Sequence, residues 1–250
     1  MADSRASFYT PHGVTQAILP HLHAFDEFGL CSYPNLQVLE PCAGGGAILD
    51  VLLSAGVDRD NLSAVEIRHT EQYRLLKRAA TVQIGDIFQV AKDLPQQHYN
   101  LIITNPPFGE TIRLYDAVAP LLATGGQIVM LERCALMESL GRARFHWEHP
   151  SQAYVLTRRP SFVPSGKIDR WAYSWFTWTP DDPTATGWMP LDWNRSCRIK
   201  EPTEEKSLLE QVCVDGYVDE TQPVNAAALW QSGIEVEDCW DHVEVPEAEL

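Results

Sequence analysis

Several things are missing from this chain, and each absence excludes a class of protein. Its six cysteines, Cys31, Cys42, Cys134, Cys197, Cys213 and Cys239, are scattered with no Cys-x-x-Cys pair. That distribution speaks against a zinc site or a disulfide framework; reduced thiols in a cytoplasmic protein, with no bound metal, are expected. Long apolar runs are also missing. The best, Val118 to Leu131, is interrupted by Gly125-Gly126 and is too short to span a bilayer, so no membrane partner is expected. Met1 to Thr10 lacks the charged-then-apolar order of a secretion signal. No internal repeat or low-complexity tract occurs. Basic residues are scarce at the C-terminal end, where residues 201–250 hold 14 Asp/Glu and one basic residue, Lys206.

That acidic end carries most of the net charge of −15; the first 200 residues hold 20 acidic and 18 basic side chains. An acidic chain is a poor nucleic-acid binder as a whole. Locally, however, Arg142, Arg144, Arg158, Arg159, Lys167 and Arg170 face only Glu148 and Asp169 across the same stretch. This basic segment can meet phosphates, and it reads equally well as an ordinary solvated surface.

At 250 residues and 45% hydrophobic, the chain suits one large α/β domain with a small appendage. Strand signals at Leu36–Glu40, Leu62–Ile67, Val82–Ile87, Tyr99–Thr104 and Gly126–Glu132 alternate with helical patterns at Ala47–Ala55, His69–Ala79 and Thr111–Leu122. Strands separated by helices imply βαβ units and a parallel, right-handed sheet. Ala153–Thr157 and Trp171–Thr179 are β-rich with no helix between them, and predict a hairpin closing one sheet edge. The alternating rings of Trp171, Tyr173 and Trp175 predict core packing on one face of that strand. Beyond Pro180 the pattern turns irregular, with short helices expected at Thr203–Val214 and Ala226–Gln231 and a Trp240-bearing acidic tail that docks or floats. Residues 1–180 read as one domain and 181–250 as an acidic extension.

The most unusual local feature is Asn105-Pro106-Pro107-Phe108, directly after the strand Tyr99–Thr104. Proline fixes φ, removes a donor and holds the preceding residue extended. Asn105 and Pro106 thus present carbonyl oxygens beyond a strand end with no competing proline N–H. That cluster suits an exocyclic amino group, and Phe108 offers a face to a flat ring. As a plain alternative, the same residues make a rigid turn with a packed aromatic.

Upstream, Glu40-Pro41-Cys42-Ala43-Gly44-Gly45-Gly46 joins the first strand to the first βα helix. Glycines let the backbone approach a ligand, and the helix N-terminus offers free N–H groups. No Lys-Ser/Thr follows, which excludes a P-loop, and Glu40 would repel a pyrophosphate while suiting a cationic amino group. Glu66, 20 residues after Gly46, closes the second strand beside Ile67, where a carboxylate can accept from ribose hydroxyls. Asp86 follows the third strand and could accept from an adenine amino group while Ile87 and Phe88 pack the ring; a helix or turn cap is the plainer use. All four groups fall at carboxyl ends of successive strands, where such sheets bind ligands.

With these residues in order, the chain resembles the class I S-adenosylmethionine-dependent methyltransferases, specifically the DNA adenine amino-methyltransferases, including phage and prophage members. Glu40 with Gly44 and Gly46, then Glu66, Asp86 and Asn105 to Phe108 resemble that family's motifs. Phe8-Tyr9-Thr10-Pro11, before the amphipathic stretch Val14 to Leu22, resembles its N-terminal motif, whose Thr-Pro turn meets the methionine end of the cofactor. The resemblance covers roughly residues 8–178. It implies a Rossmann-like, doubly wound, mostly parallel seven-stranded sheet; S-adenosyl-L-methionine as cofactor, held by Tyr9 to Pro11, Glu40 to Gly44, Gly46, Glu66, Ile67, Asp86, Ile87 and Asn105; and methylation of adenine N6 in double-stranded DNA after base flipping, of the kind used in restriction-modification. Target recognition would fall in 134–170, short for a sequence-specific member, so recognition is simple or is shared with a second copy in a homodimer. RNA adenine methyltransferases share the catalytic motif, as do glutamine-amide methylating enzymes, although those usually carry Tyr at the last position and a helical N-terminal domain absent here. A catalytically silent cofactor-binding subunit is the non-enzymatic alternative.

Overall fold

The computed structural model describes residues 9–193 apart from 164, 169, 183 and 185; the expected helices and tail beyond residue 193 lie outside the described residues. In chain order the elements are α1 (His12–Ile18), β1 (Val38–Glu40), α2 (Ala47–Ser54), β2 (Leu62–Glu66), α3 (Gln72–Leu76), β3 (Thr81–Ile84), α4 (Ile87–Val90), β4 (Tyr99–Thr104), α5 (Thr111–Val118), β5 (Leu122–Arg133), α6 (Leu140–Glu148), β6 (Gln152–Leu156), β7 (Tyr173–Trp178) and β8 (Gly187–Leu191). The strands form one sheet in the order β3-β2-β1-β4-β5-β7-β6-β8.

From β3 through β5 every pairing is parallel, as the βαβ alternation requires. Parallel strands are buried on both faces, which explains their near-continuous apolar sequences. In β1, Val38 faces a core shared with Val14, Ile18, Ile48 and Leu52. Its neighbour Leu39 faces the opposite core with Ile102, Leu114 and Val118. The same alternation splits Leu101 and Ile103 from Ile102 in β4. Sheet order runs outward from β1 to β3 in one direction and from β4 to β5 in the other. Connections after β1 and β4 therefore leave the sheet toward opposite faces, opening a crevice beyond the strand ends where Gly44 and Asn105 lie.

The sheet differs from the expectation in particulars. It has eight strands among the described residues rather than seven. The predicted hairpin exists as the antiparallel pair β6–β7, but it does not close the edge: β7 pairs antiparallel with β5, and β8 lies outside β6, parallel to it. The sheet thus continues past residue 180. Tyr173 and Trp175 are fully buried in the core, whereas Trp171 precedes β7 and is 38% exposed. Ile87 does not end β3; Asp86 breaks the strand by capping α4, its Oδ1 accepting from the Phe88 N–H at 3.1 Å. The helix expected over His69–Ala79 is a 3-10 turn, His69–Glu71, followed by the short α3.

Candidate active site

Beyond the carboxyl ends of β1, β2, β3 and β4 lies a cavity of about 610 Å³. Pro41, Cys42, Gly44, Glu66, Ile67, Asp86 and Ile87 line it, together with all four residues Asn105 to Phe108. Residues separated by some sixty positions in sequence thus share one space because adjacent parallel strands end level with one another.

The glycine turn is shaped by its neighbours. Gly46 has φ +87°, and a Cβ there would lie 2.5 Å from Arg78 Cδ. Gly45 is approached by the Tyr9 ring, which a Cβ would meet at 3.0 Å. Arg78 in turn pairs with Asp50 at 2.6 Å, closing the outside of the turn. The Gly44 N–H donates to Glu66 Oε2 at 2.6 Å, and Glu66 Oε1 accepts from the Arg68 N–H and Nε, both at 2.9 Å. Oε1 thus accepts two hydrogen bonds already, while Oε2, with the Gly44 N–H alone, keeps a second lone pair for a ligand hydroxyl.

Arg68 also lines the cavity, and Glu71 Oε1 lies 3.7 Å from its guanidinium. Arg113 lines the cavity too, its guanidinium 3.7 Å over the Phe88 ring and paired with Glu110. Spacing gave no sign of Arg68, Glu110 or Arg113 as site residues. Arg68 was recoverable only as the neighbour of Glu66, and Glu110–Arg113 reads in sequence as a surface i,i+3 pair.

The structure places other expected residues elsewhere. Glu40 does not line the cavity: it is 2% exposed, and its carboxyl turns inward to the Leu49 backbone N–H at the start of α2. Oε2 of Glu40 has no hydrogen-bond partner among the described residues. Burial, reinforced by the Asp50 and Glu66 carboxylates, pushes the Glu40 pKa well above the usual carboxylate range. Ala43 is buried beneath the turn, its N–H donating to the Val65 carbonyl. Pro11 is buried and precedes α1. Thr10 lies outside the cavity and accepts a hydrogen bond from Asn105 Nδ2 at 3.0 Å.

Burial, with the charges of Glu66 and Glu40, pushes the Cys42 thiol up to about 12. It stays protonated at neutral pH and is no nucleophile. Phe108 borders a second, smaller cavity of about 150 Å³, where Arg133 places its guanidinium 4.0 Å over the ring. The ring is therefore covered on the Arg133 side.

The six basic residues expected to meet nucleic acid divide into two kinds. Arg142 donates to the backbone carbonyls of Leu136, Ala135 and Glu138 at 2.6–2.9 Å, fastening the turn after β5 to α6. That guanidinium is structural. The others stand at the surface: Arg144 pairs with Glu148 at 2.7 Å, Arg158 with Asp192 at 3.5 Å, Arg170 lies 5.3 Å from the Trp171 ring, and Arg159 and Lys167 are exposed. Exposed ion pairs of this kind are weak and leave a cation available to phosphate.

Such a sheet, with its crevice at the β1/β4 switch point, is the fold of class I methyltransferases, and solved structures agree. No family model matches the sequence, and no curated protein matches it. The M protein of the Type I restriction enzyme EcoKI aligns over 84% of this chain and 54% of its own at 13% identity, with a TM-score of 0.57. A putative class I S-adenosylmethionine-dependent methyltransferase from Listeria monocytogenes aligns over 84% and 73% at 14% identity, TM-score 0.56. The ATP-dependent Type ISP restriction-modification enzyme LlaBIII, solved bound to DNA, aligns over 77% of this chain and 20% of its own at 13% identity, TM-score 0.56. At these identities the likeness is one of fold. No helix among the described residues is long and apolar enough to cross a membrane.

Proposed function

We propose that this chain transfers a methyl group from S-adenosylmethionine to the N6 amino group of adenine in DNA. The observation that carries the reading is that Asn105 to Phe108 share one cavity with Gly44, Glu66, Asp86 and Ile87. The residues fit the cofactor. About 610 Å³ is within the range of cofactor sites; the Glu66 carboxylate suits ribose hydroxyls, Asp86 an adenine amino group, and Ile87 and Phe88 a flat ring.

When bound, the cofactor supplies an electrophilic methyl group on a sulfonium that leaves as a neutral thioether. The chain supplies orientation and electrostatics. The Asn105 Oδ1 and the Pro106 carbonyl each accept one amino hydrogen, which draws the nitrogen lone pair out of conjugation with the ring. Phe108 stacks on the base. A nitrogen nucleophile needs no base before attack, because it sheds its proton after the N–C bond has formed. Cys42, held protonated, takes no covalent part. In duplex DNA the adenine must first leave the stack, at a cost of a few kcal/mol.

Likeness in fold to the EcoKI M protein and to a DNA-bound restriction-modification enzyme supports a DNA acceptor. The test is incubation with labelled S-adenosylmethionine and separate DNA, RNA and protein pools, followed by nucleoside analysis. Label as N6-methyladenine in DNA is the expected result. Label in RNA or protein would reassign the acceptor, and tight cofactor binding with no transfer would mark a silent subunit.

A further inference from the structure

The catalytic asparagine carries an ambiguity that its own backbone does not resolve. A carboxamide has an acceptor end and a donor end of nearly the same shape, and rotation by half a turn exchanges them. Only Oδ1 toward the cavity can accept from an amino group; Nδ2 there would set N–H against N–H. Pro106 fixes the backbone of the motif but does not choose between the two ends of the side chain.

A hydroxyl can donate or accept, and in the structure the Thr10 hydroxyl accepts, holding the Nδ2 end. Asn105 Nδ2 donates to Thr10 Oγ1 at 3.0 Å, across 95 residues of sequence. Thr10 is 4% exposed and does not line the cavity, so it reaches the acceptor only through Asn105. Its position is fixed from both sides. The Tyr9 N–H donates to the Phe162 carbonyl at 3.1 Å, and the Val14 carbonyl accepts from the buried Trp175 Nε1 at 2.9 Å. The Tyr9 ring lies against Gly45 of the cofactor turn. The stretch that carries Thr10 is thus anchored to the loop before β7, to β7 itself and to the glycine turn.

We infer that Thr10 is the positioning residue of the catalytic amide: its hydroxyl oxygen takes the Nδ2 hydrogen and leaves Oδ1 facing the cavity. This assigns Thr10 a role other than meeting the methionine end of the cofactor, and it rests on the reading of Asn105 as the amino-group acceptor. The hydroxyl, not the bulk of the side chain, does the work, so Thr10→Val, which keeps the shape, removes the effect and Thr10→Ser retains it.

The test compares wild type, Thr10→Val and Thr10→Ser by kcat, DNA KM, cofactor Kd and hydrogen exchange of the Asn105 side-chain NH2 measured by NMR. Thr10→Val should lower kcat by about tenfold or more while KM and Kd stay within about twofold, the pattern of a lost transition-state interaction. Its Asn105 NH2 should exchange faster, and Thr10→Ser should restore both readouts. Unchanged kcat in Thr10→Val, or a loss of cofactor affinity that accounts for the loss of rate, overturns the inference. Should wild type methylate no acceptor at all, the function proposed above fails separately. The exchange measurement then decides for Thr10: faster exchange in the Val variant supports the positioning role, and an unchanged rate refutes it.

Discussion

Two stretches of the chain bring charged and aromatic side chains together, and they use them in opposite ways. At the ends of β1 to β4, Gly44, Glu66, Asp86 and Asn105 converge on one cavity. Across 134–170, one cation turns inward: Arg142 holds three backbone carbonyls, while Arg144 and Arg158 make exposed ion pairs. The cause is geometric. Backbone hydrogen bonds fix the register of parallel strands, so the residue following each strand falls in a set place whatever its neighbours are. A side chain on a surface helix or loop chooses among partners that only the tertiary structure supplies.

The sharpest way to break this comparison is at Asn105. Asn105→Ala should reduce single-turnover methyl transfer by about 10²–10³-fold, the scale of losing one preorganised polar contact to a reacting group. Cofactor affinity by calorimetry should stay within about twofold, since its other contacts remain. Next in size is Glu66→Gln. Hydrogen bonds to a charged group contribute about 1.5–3 kcal/mol, so cofactor Kd should rise by about tenfold or more in the same titration.

The basic stretch gives a smaller, two-part contrast. Arg142→Ala should lower the urea midpoint by removing the partner of three carbonyls, at a cost of about 1–3 kcal/mol, with the salt dependence of DNA binding unchanged. Arg159→Ala should leave the midpoint in place and reduce the slope of log affinity against log salt by about one, if that side chain meets a phosphate.

The smallest effect is a pH slope. Folded Glu40 keeps a proton that the unfolded chain gives up once pH passes the ordinary carboxylate range, because burial raises its pKa. Its contribution to stability is complete below that range and declines as pH rises toward the folded-state value. Unfolding at about pH 5 and about pH 8 should therefore show a smaller loss of stability at the higher pH for Glu40→Gln than for wild type.

Much of this was legible in the residues. Tyr99–Thr104 is a strand to the residue because a buried parallel strand writes a continuous apolar run. That Asn105, Glu66 and Asp86 would meet in one place followed from strand ends and spacing, and they line one cavity. What escaped was set by tertiary contact. Glu40 has the sequence position of a ligand, yet its carboxyl lies against the start of α2. Thr10 faces Asn105, which no local pattern could foretell. Nor did Gly187-Trp188-Met189-Pro190-Leu191 announce a strand: its proline and its exposed residues are tolerated only because β8 lies at the sheet edge.

The most direct test of the account is a crystal structure of the chain with S-adenosylhomocysteine and an oligonucleotide bearing one extrahelical adenine. The account predicts the adenine amino group within hydrogen-bond reach of both the Asn105 Oδ1 and the Pro106 carbonyl, with the thioether facing it and the ribose on Glu66. An amino group held elsewhere, or a cofactor lodged away from Glu66 and Asp86, would contradict it.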